Sequence, residues 1–331
     1  MKTTIAMTSN YVRSDGDPDP YLGRIAEAGF THVLWAHHAW SDYVYVEPEI
    51  DHIARCLRKH GLKLNDLHCP TGKDQAWGSP VEFVRRAGIE VVKNRIAMAA
   101  ALACDVVVMH IPMEPPDPAA RRAYWRRQRR TMDALAPWAK KHKVRMALEN
   151  TLPGNFDTLE KFFALRGPDV MGLCYDAGHG NAKIDWPGNG LERLERVKDR
   201  VIDLHLHDND CTDDLHWLPF TGTVDWERLA EIIPTTSYKK NVIPIEAGIK
   251  EKDTTPAQER RFLRRCAAAA RRFGALLDAA AASAPKCGPK VAGGAASTPA
   301  EASWRRRVFE QAPGERPFRR TASGPSCTRR R

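Results

Sequence analysis

Six consecutive apolar runs in this chain end in an imidazole or a carboxylate. His68 sits in NDLHCP, His110 in VVVMHIP and Glu149 in MALEN. Asp176 and His179 lie in CYDAGH, His205 and His207 in DLHLHDND, Asp214 and His216 in DDLHW, and Glu246 in IPIEAG. One such residue at the end of one run reads as a hydrogen-bonded rim group. A series of them reads differently if the ends converge, because like charges crowded in one mouth repel unless a cation sits among them. Mixed His, Asp and Glu donors suit Zn²⁺, Mn²⁺ or Co²⁺ better than Ca²⁺ or purely oxygen-liganded Mg²⁺. A divalent metal (Mn, Co, Zn or Mg) is therefore the expected cofactor.

The elements that must bring these ends together are legible in the pattern. Short β-rich runs occur at 3–7, 32–36, 62–68, 105–111, 144–149, 170–175, 201–206 and 242–246. Amphipathic stretches lie between them, near 20–28, 47–60, 80–103, 118–142, 157–166, 189–198, 225–233 and 256–275. Gly29, Gly61 and Gly167 stand where helices should stop, and Pro48 and Pro80 suit helix starts. Eight strand–helix units in about 275 residues predict a (β/α)8 TIM barrel, an α/β fold whose active face is built from the loops after the strands. No GxGxxG follows the first strand, which removes the main support for an open doubly wound sheet. The chain thus divides into a barrel over 1–275 and an Ala/Gly/Pro/Arg-rich segment over 280–331. That segment lacks periodicity and apolar content and is expected to be a disordered basic tail.

Composition narrows the classes further. At 331 residues and 43% hydrophobic the chain can build a large core without staples. It has no stretch near the roughly 20 apolar residues of a membrane span, and MKTTIAMTSN reads as a first strand rather than a leader. Its eight cysteines are scattered with no CxxC pair, which suits free thiols in a reducing cytoplasm. The net charge of +10 is concentrated at the end. Positions 276–331 carry eleven basic and four acidic residues, leaving 40 against 37 for the rest. The arginines at 121, 122, 126, 127, 129 and 130 read as a solvated helix face, or as a phosphate contact.

The segments MALEN, CYDAGH, DLHLHDN, DLHWLPFTGTVDW and IPIEAG, in that order, resemble the xylose-isomerase-like barrel superfamily. It contains sugar and sugar-phosphate isomerases and epimerases and the type IV AP endonucleases. The resemblance covers roughly 1–275. It is carried by the D-x-x-H after the sixth strand, the H-x-x-D on the seventh, and the D-x-H followed by a Gly-containing turn and V-D-W. It implies one divalent metal held by Glu149, Asp176, His205 and Glu246, with Glu149 and Glu246 as the catalytic carboxylates. His205 and His207 point to the same side of their strand, so alternation does not choose between them; the resemblance selects His205. His68, His110, His179, His207, Asp214 and His216 are then substrate-binding or additional metal residues, with His179 against a substrate hydroxyl.

The implied activity is a metal-dependent isomerase or epimerase that works through an enediolate. Its substrate is a sugar, a sugar phosphate or a related polyol or keto acid. A small carbohydrate is the expected partner; no nucleic acid or membrane is expected, and a homo-oligomer is compatible with the sequence. The alternative is an AP endonuclease-like phosphodiesterase on abasic DNA. His68, His110, Glu149, Asp176, His179, His205, Asp214, His216 and Glu246 match its nine trinuclear zinc ligands in type. Against it, Thr71 stands where those enzymes place an aromatic, and the body lacks a strong positive field. A catalytically silent binding module fits less well with an intact ligand set. Ketohexose epimerases carry Glu and Arg where this chain has Asn155 and Cys211. Arg13, Lys73 and Lys183 are candidates for a phosphate or carboxylate, His37 and His38 for the pocket wall, and Trp35, Trp40 and Trp77 for a sugar face or the core.

Overall fold

The apolar runs form eight parallel strands in a computed structural model. They are β1 (Thr4–Thr8), β2 (His32–Trp35), β3 (Lys63–His68), β4 (Val106–His110), β5 (Arg145–Glu149), β6 (Met171–Asp176), β7 (Val201–His205) and β8 (Val242–Ile245). The structure describes residues 4–12, 16–70, 76–151, 155–182, 190–251 and 253–283. Burial runs along both faces of these strands, and β6 and β7 are buried at every position. Parallel strands between packed side chains and an outer layer of helices require that.

Neighbours pair in the order β7-β6-β5-β4-β3-β2-β1-β8. The ends meet through a single bridge between Leu206 and Ile245. There Leu206 N–H donates to Pro244 O at 3.0 Å and Glu246 N–H to Leu206 O at 3.0 Å. Strand residues direct their N–H and C=O to the same neighbour, so the missing N–H of Pro244 falls on this seam. The result is a nearly closed barrel. Two register shifts leave Asn65 unpaired on β3 and Ile202 unpaired on β7. Such bulges re-aim the side chains that follow them, here Asp66 and Asp203.

The helices are α1 (Asp19–Glu27), α2 (Glu47–Lys59), α3 (Glu82–Ala101), α4 (Pro118–His142), α5 (Phe156–Leu165), α6 (Ala177–Asn181), α7 (Gly190–Val197), α8 (Trp226–Ile232) and α9 (Pro256–Ser283). Pro118 starts α4, and Asp117 caps it by accepting the Ala120 N–H at 2.7 Å. Gly29 and Gly61 take left-handed φ of 90° and 65° after α1 and α2, as expected of C-terminal glycines. Gly167 does not. There α5 ends because Arg166 turns extended, while α4 closes on a left-handed Lys143 without a glycine.

Two helices depart from expectation. The five-residue α6 has no apolar period to announce it, and it forms because Asp176 caps it by accepting the His179 N–H at 2.6 Å. The last helix runs to Ser283, past the expected barrel end at 275 and through the first residues assigned to the tail. Its face carrying Leu263, Cys266, Ala267, Ala270 and Phe273 is buried, and Ala-rich sequence sustains the helix beyond it. Met1–Pro285 forms one unit. The basic segment 286–331 and Arg13, Thr71, Lys73 and Lys183 lie outside the described residues. Among those described, no helix is long and apolar enough to cross a membrane.

Candidate metal centre

All ten singled-out side chains gather at the C-terminal mouth of the barrel in one network. Glu149, ending β5, is its hub. Its Oε2 lies 2.8 Å from His110 Nε2 and 3.4 Å from His68 Nε2. Its Oε1 lies 3.0 Å from His205 Nδ1 and 3.7 Å from His179 Nδ1. Across the seam, Glu246 Oε2 stands 2.8 Å from the same His205 nitrogen. Asp176 Oδ1 is 3.5 Å from His179 Nδ1 and 3.0 Å from His207 Nε2. Asp214 reaches His179 at 3.4 Å and His216 at 3.2 Å.

Ligand atoms fall within 4.8 Å of one another in several sets. Three of them are His68, His110 and Glu149; His68, His205 and Glu246; and His179, His207, Asp214 and His216. His205 and His207 therefore both face inward but serve different sets. His207 packs on His216, ring centroids 4.1 Å apart. It fits only because position 178 is glycine: a Cβ there would stand 1.9 Å from His207 Cε1.

Local sequence fixes these groups. His68 Nδ1 donates to Cys69 O at 3.0 Å and His216 Nδ1 to Glu246 O at 2.7 Å, which turns each Nε2 toward the mouth. His216 holds a left-handed backbone, φ 46°, to do so, a conformation costing on the order of 1–3 kcal/mol outside glycine. Asn150 accepts the Asp176 N–H at 2.8 Å and donates to Asp176 O at 2.9 Å, pinning that residue's backbone. Asn209 donates to Gly178 O at 2.7 Å. Asp208 accepts from Asn209 N–H, Val224 N–H and the Trp226 indole at 2.9, 3.1 and 2.9 Å. The D-N after His207 and the V-D-W segment are thus two halves of one brace.

Charge in the mouth is balanced by protons. Burial would raise Glu149 and Glu246, but His205 and His110 together hold Glu149 well below its ordinary value, and His205 holds Glu246 near about 2. Burial would lower His179 and His216. Asp176 and Asp214 instead carry His179 up to about 10, and Asp214 and Glu246 carry His216 up to about 9. His110 goes the other way, since burial prevails there. Cys174 lies beside Glu149 and His205, but burial raises its thiol well above the ordinary value and keeps it protonated.

Buried polar atoms nearly always find partners, yet several here do not. Glu149 Oε2, Asp176 Oδ2, His179 Nδ1, both nitrogens of His207, Asp214 Oδ1 and Glu246 Oε2 are buried without an aligned hydrogen bond in the protein. The carboxylate oxygens, and one nitrogen of each neutral imidazole, are lone-pair donors, and they gather at the mouth. This donor set fits a divalent cation of the borderline kind. A cavity of about 230 Å³ opens above them. His68, His110, Glu149, His179, Asp214, His216 and Glu246 form its charged side, and Thr8, Asn10 and Trp40 contribute to the other.

Thr8 and Asn10 follow no motif, and the sequence reading missed them. Trp40 is 70% exposed at this mouth, whereas Trp35 and Trp77 are core. His37 and His38 line a neighbouring cavity of about 370 Å³ instead of this one. Asn155 ties back to the end of β5, donating to Glu149 O at 3.3 Å and Thr151 Oγ1 at 3.0 Å. A larger groove, about 710 Å³, lies between α3 and α4, where Glu82 pairs with Arg85, Arg86 and Arg130.

A parallel eight-stranded barrel with His, Asp and Glu at the ends of strands three to eight defines a class of site as well as a fold. Residues 22–266 match the family described as the xylose isomerase-like TIM barrel, and the chain belongs to that family. It is 31% identical over 245 residues to the uncharacterized protein y4fM of Sinorhizobium fredii (strain NBRC 101917 / NGR234), covering 66% of this chain and 77% of that one. Among solved structures, a D-tagatose 3-epimerase-like protein superposes with a TM-score of 0.65 at 19% identity, over 83% of this chain and 98% of its own. An L-ribulose 3-epimerase superposes with a TM-score of 0.66 at 17% identity, over 87% and 100%.

Proposed function

We propose that this chain is a divalent-metal-dependent isomerase or epimerase. Its substrate would be a sugar, a sugar phosphate or a related polyol or keto acid. The observation that carries the reading is the convergence of unpartnered carboxylate and imidazole atoms on one cavity at the barrel mouth. Glu149, Asp176, His205 and Glu246 would hold the ion, with His68, His110, His179, His207, Asp214 and His216 contacting substrate or further metal. When bound, the ion supplies Lewis-acid polarisation of a carbonyl and stabilises adjacent negative charge.

The chain's own groups supply the proton transfers. Glu149 and Glu246 each place an oxygen within 3.0 Å of His205 Nδ1, so both carboxylates reach the same small volume from strands five and eight. One takes the proton from the carbon next to the carbonyl, and the other returns a proton to form product. The imidazoles on Asp176 and Asp214 hold hydroxyl groups, and the braced backbone of Asp176 keeps them in place. Trp40 covers the mouth from the β2 side, where a flat sugar face can stack.

Solvent exchange tests this directly. In deuterated water, with Mn²⁺, Co²⁺, Mg²⁺ or Zn²⁺ and a panel of sugars, deuterium should enter the carbon next to the carbonyl. A chelator should abolish incorporation, as should Asp176→Asn or His205→Ala. Absence of exchange on the whole panel, together with metal-dependent cleavage of duplex DNA at an abasic site, would replace this reading with a phosphodiesterase.

A further inference from the structure

The interior of a barrel of this kind is filled mainly by branched apolar side chains. One layer below the mouth this one instead holds two carboxylates, Asp66 and Asp203, each fully buried. Each directly follows a bulged residue, Asn65 on β3 and Ile202 on β7, so both are turned to the inside by the same local device. Burying two carboxylates so deeply is costly unless each is compensated.

Asp203 has its compensation. Its Oδ2 accepts from Lys240 Nζ at 3.1 Å and its Oδ1 from Asn65 Nδ2 at 3.0 Å. Asn65 Nδ2 also donates to Asp66 Oδ2 at 2.7 Å, which fixes the orientation of that carboxylate. The remaining oxygen, Asp66 Oδ1, is unpartnered and faces His205 Nε2 at 3.7 Å. That nitrogen is unpartnered as well, while the opposite one, Nδ1, looks up at Glu149 and Glu246.

We infer that Asp66 is a positioning residue for His205. It receives the Nε2–H, fixes the imidazole in the tautomer whose Nδ1 lone pair points into the mouth, and raises the basicity of that nitrogen. A ligating histidine needs such an acceptor behind it, and a carboxylate is the strongest one available. The inference rests on the metal-binding part of the reading above and extends it to a residue that touches neither substrate nor ion. Asp203, Asn65 and Lys240 form the anchor that leaves one Asp66 oxygen free for this task.

Two measurements on the full chain test it. Zn²⁺ affinity is measured by chelator competition for the parent, Asp66→Asn, His205→Gln and the double variant. Asp66→Asn should weaken Zn²⁺ about 10- to 100-fold, the usual cost of losing an outer partner of a ligating histidine. In the His205→Gln background the same change should cost less than about threefold, because the group it acts through is gone. An equal loss in both backgrounds, or none in the parent, overturns the inference.

The second measurement needs no substitution at position 66. Long-range ¹H–¹⁵N spectra of the Zn²⁺-loaded parent, with His205 assigned by its loss in His205→Gln, should show Nε2 protonated and Nδ1 bare. The opposite tautomer overturns the inference whether or not Asp66→Asn folds. Failure of the parent to bind Zn²⁺, Mn²⁺ or Co²⁺ at all would instead defeat the metal reading itself, so the two failures are distinct.

Discussion

Gly178→Ala is the smallest change that should disturb the site. An added Cβ would meet His207 Cε1, Nδ1 and Nε2 at 1.9, 2.2 and 2.6 Å, all inside any tolerable contact. The ring cannot swing away freely, because His207 is fully buried and stacked on His216. Overpacking of this kind costs about 1–3 kcal/mol. Alanine returns about 0.5–1 kcal/mol over glycine, since position 178 lies in α6 without a positive φ. A net loss of up to about 2.5 kcal/mol should lower Tm by up to about 4 °C for a unit of this size. Displacement of His207 should weaken Zn²⁺ about tenfold or more. Thermal melts and metal competition on four proteins (parent, Gly178→Ala, His207→Ala and the double variant) make the argument quantitative. With the imidazole already removed, Gly178→Ala should be neutral or slightly stabilising. Equal destabilisation in both backgrounds would refute the steric account.

Other outcomes follow from the same geometry. Glu246→Gln should leave the barrel folded, though less stable at neutral pH for want of the carboxylate beside His205, and should reduce turnover about 100-fold or more on any substrate that shows exchange; activity within about tenfold of the parent would make Glu246 a rim residue. Asp208→Ala removes the acceptor of three hydrogen bonds at a fully buried position, and urea unfolding should show a loss of about 3 kcal/mol or more. Stability of the metal-free protein should also vary with pH. The raised His179 and His216, at about 10 and about 9, contribute stability that is complete below about pH 6.5 and lost as pH rises through those values. The depressed Glu246, near about 2, contributes above about pH 4.5 and is lost on acidification toward that value. Tm of metal-free protein should therefore fall between about pH 7 and 10, and fall less in His216→Gln.

The barrel was legible because short apolar strands alternate with long amphipathic stretches eight times over, with no GxGxxG after the first strand to favour an open doubly wound sheet. The strand ends stood out because polar residues there break an otherwise apolar pattern. Other features were hidden for physical reasons. Asp66 and Asp203 lie inside strands, where a bulge of one residue decides whether a side chain faces core or mouth, and a bulge leaves no mark in composition. Alternation could not separate His205 from His207, and the structure shows why: both face inward, and Gly178 makes room for the second. Asn150, Asn209 and Asp208 were in view within their motifs, but bracing roles depend on partners far along the chain, such as Trp226. Thr8 and Asn10 line the cavity through the fold alone.

The seam between β7 and β8 has a mechanical consequence. It is joined by one bridge and lacks the donor that Pro244 cannot supply, yet His205 and Glu246 stand on opposite sides of it, 2.8 Å apart. An ion gripped by both would act as a clasp on the weakest joint of the cylinder. Occupancy would then be felt in the scaffold as well as in turnover, adding about 2.7 kcal/mol when free metal is 100-fold above Kd. Amide exchange should report it in one place: the N–H groups of Leu206 and Glu246, which close the joint, should slow on loading far more than those between β4 and β5. Stripping the metal would unbutton the wall between its two ends before it disturbed the rest.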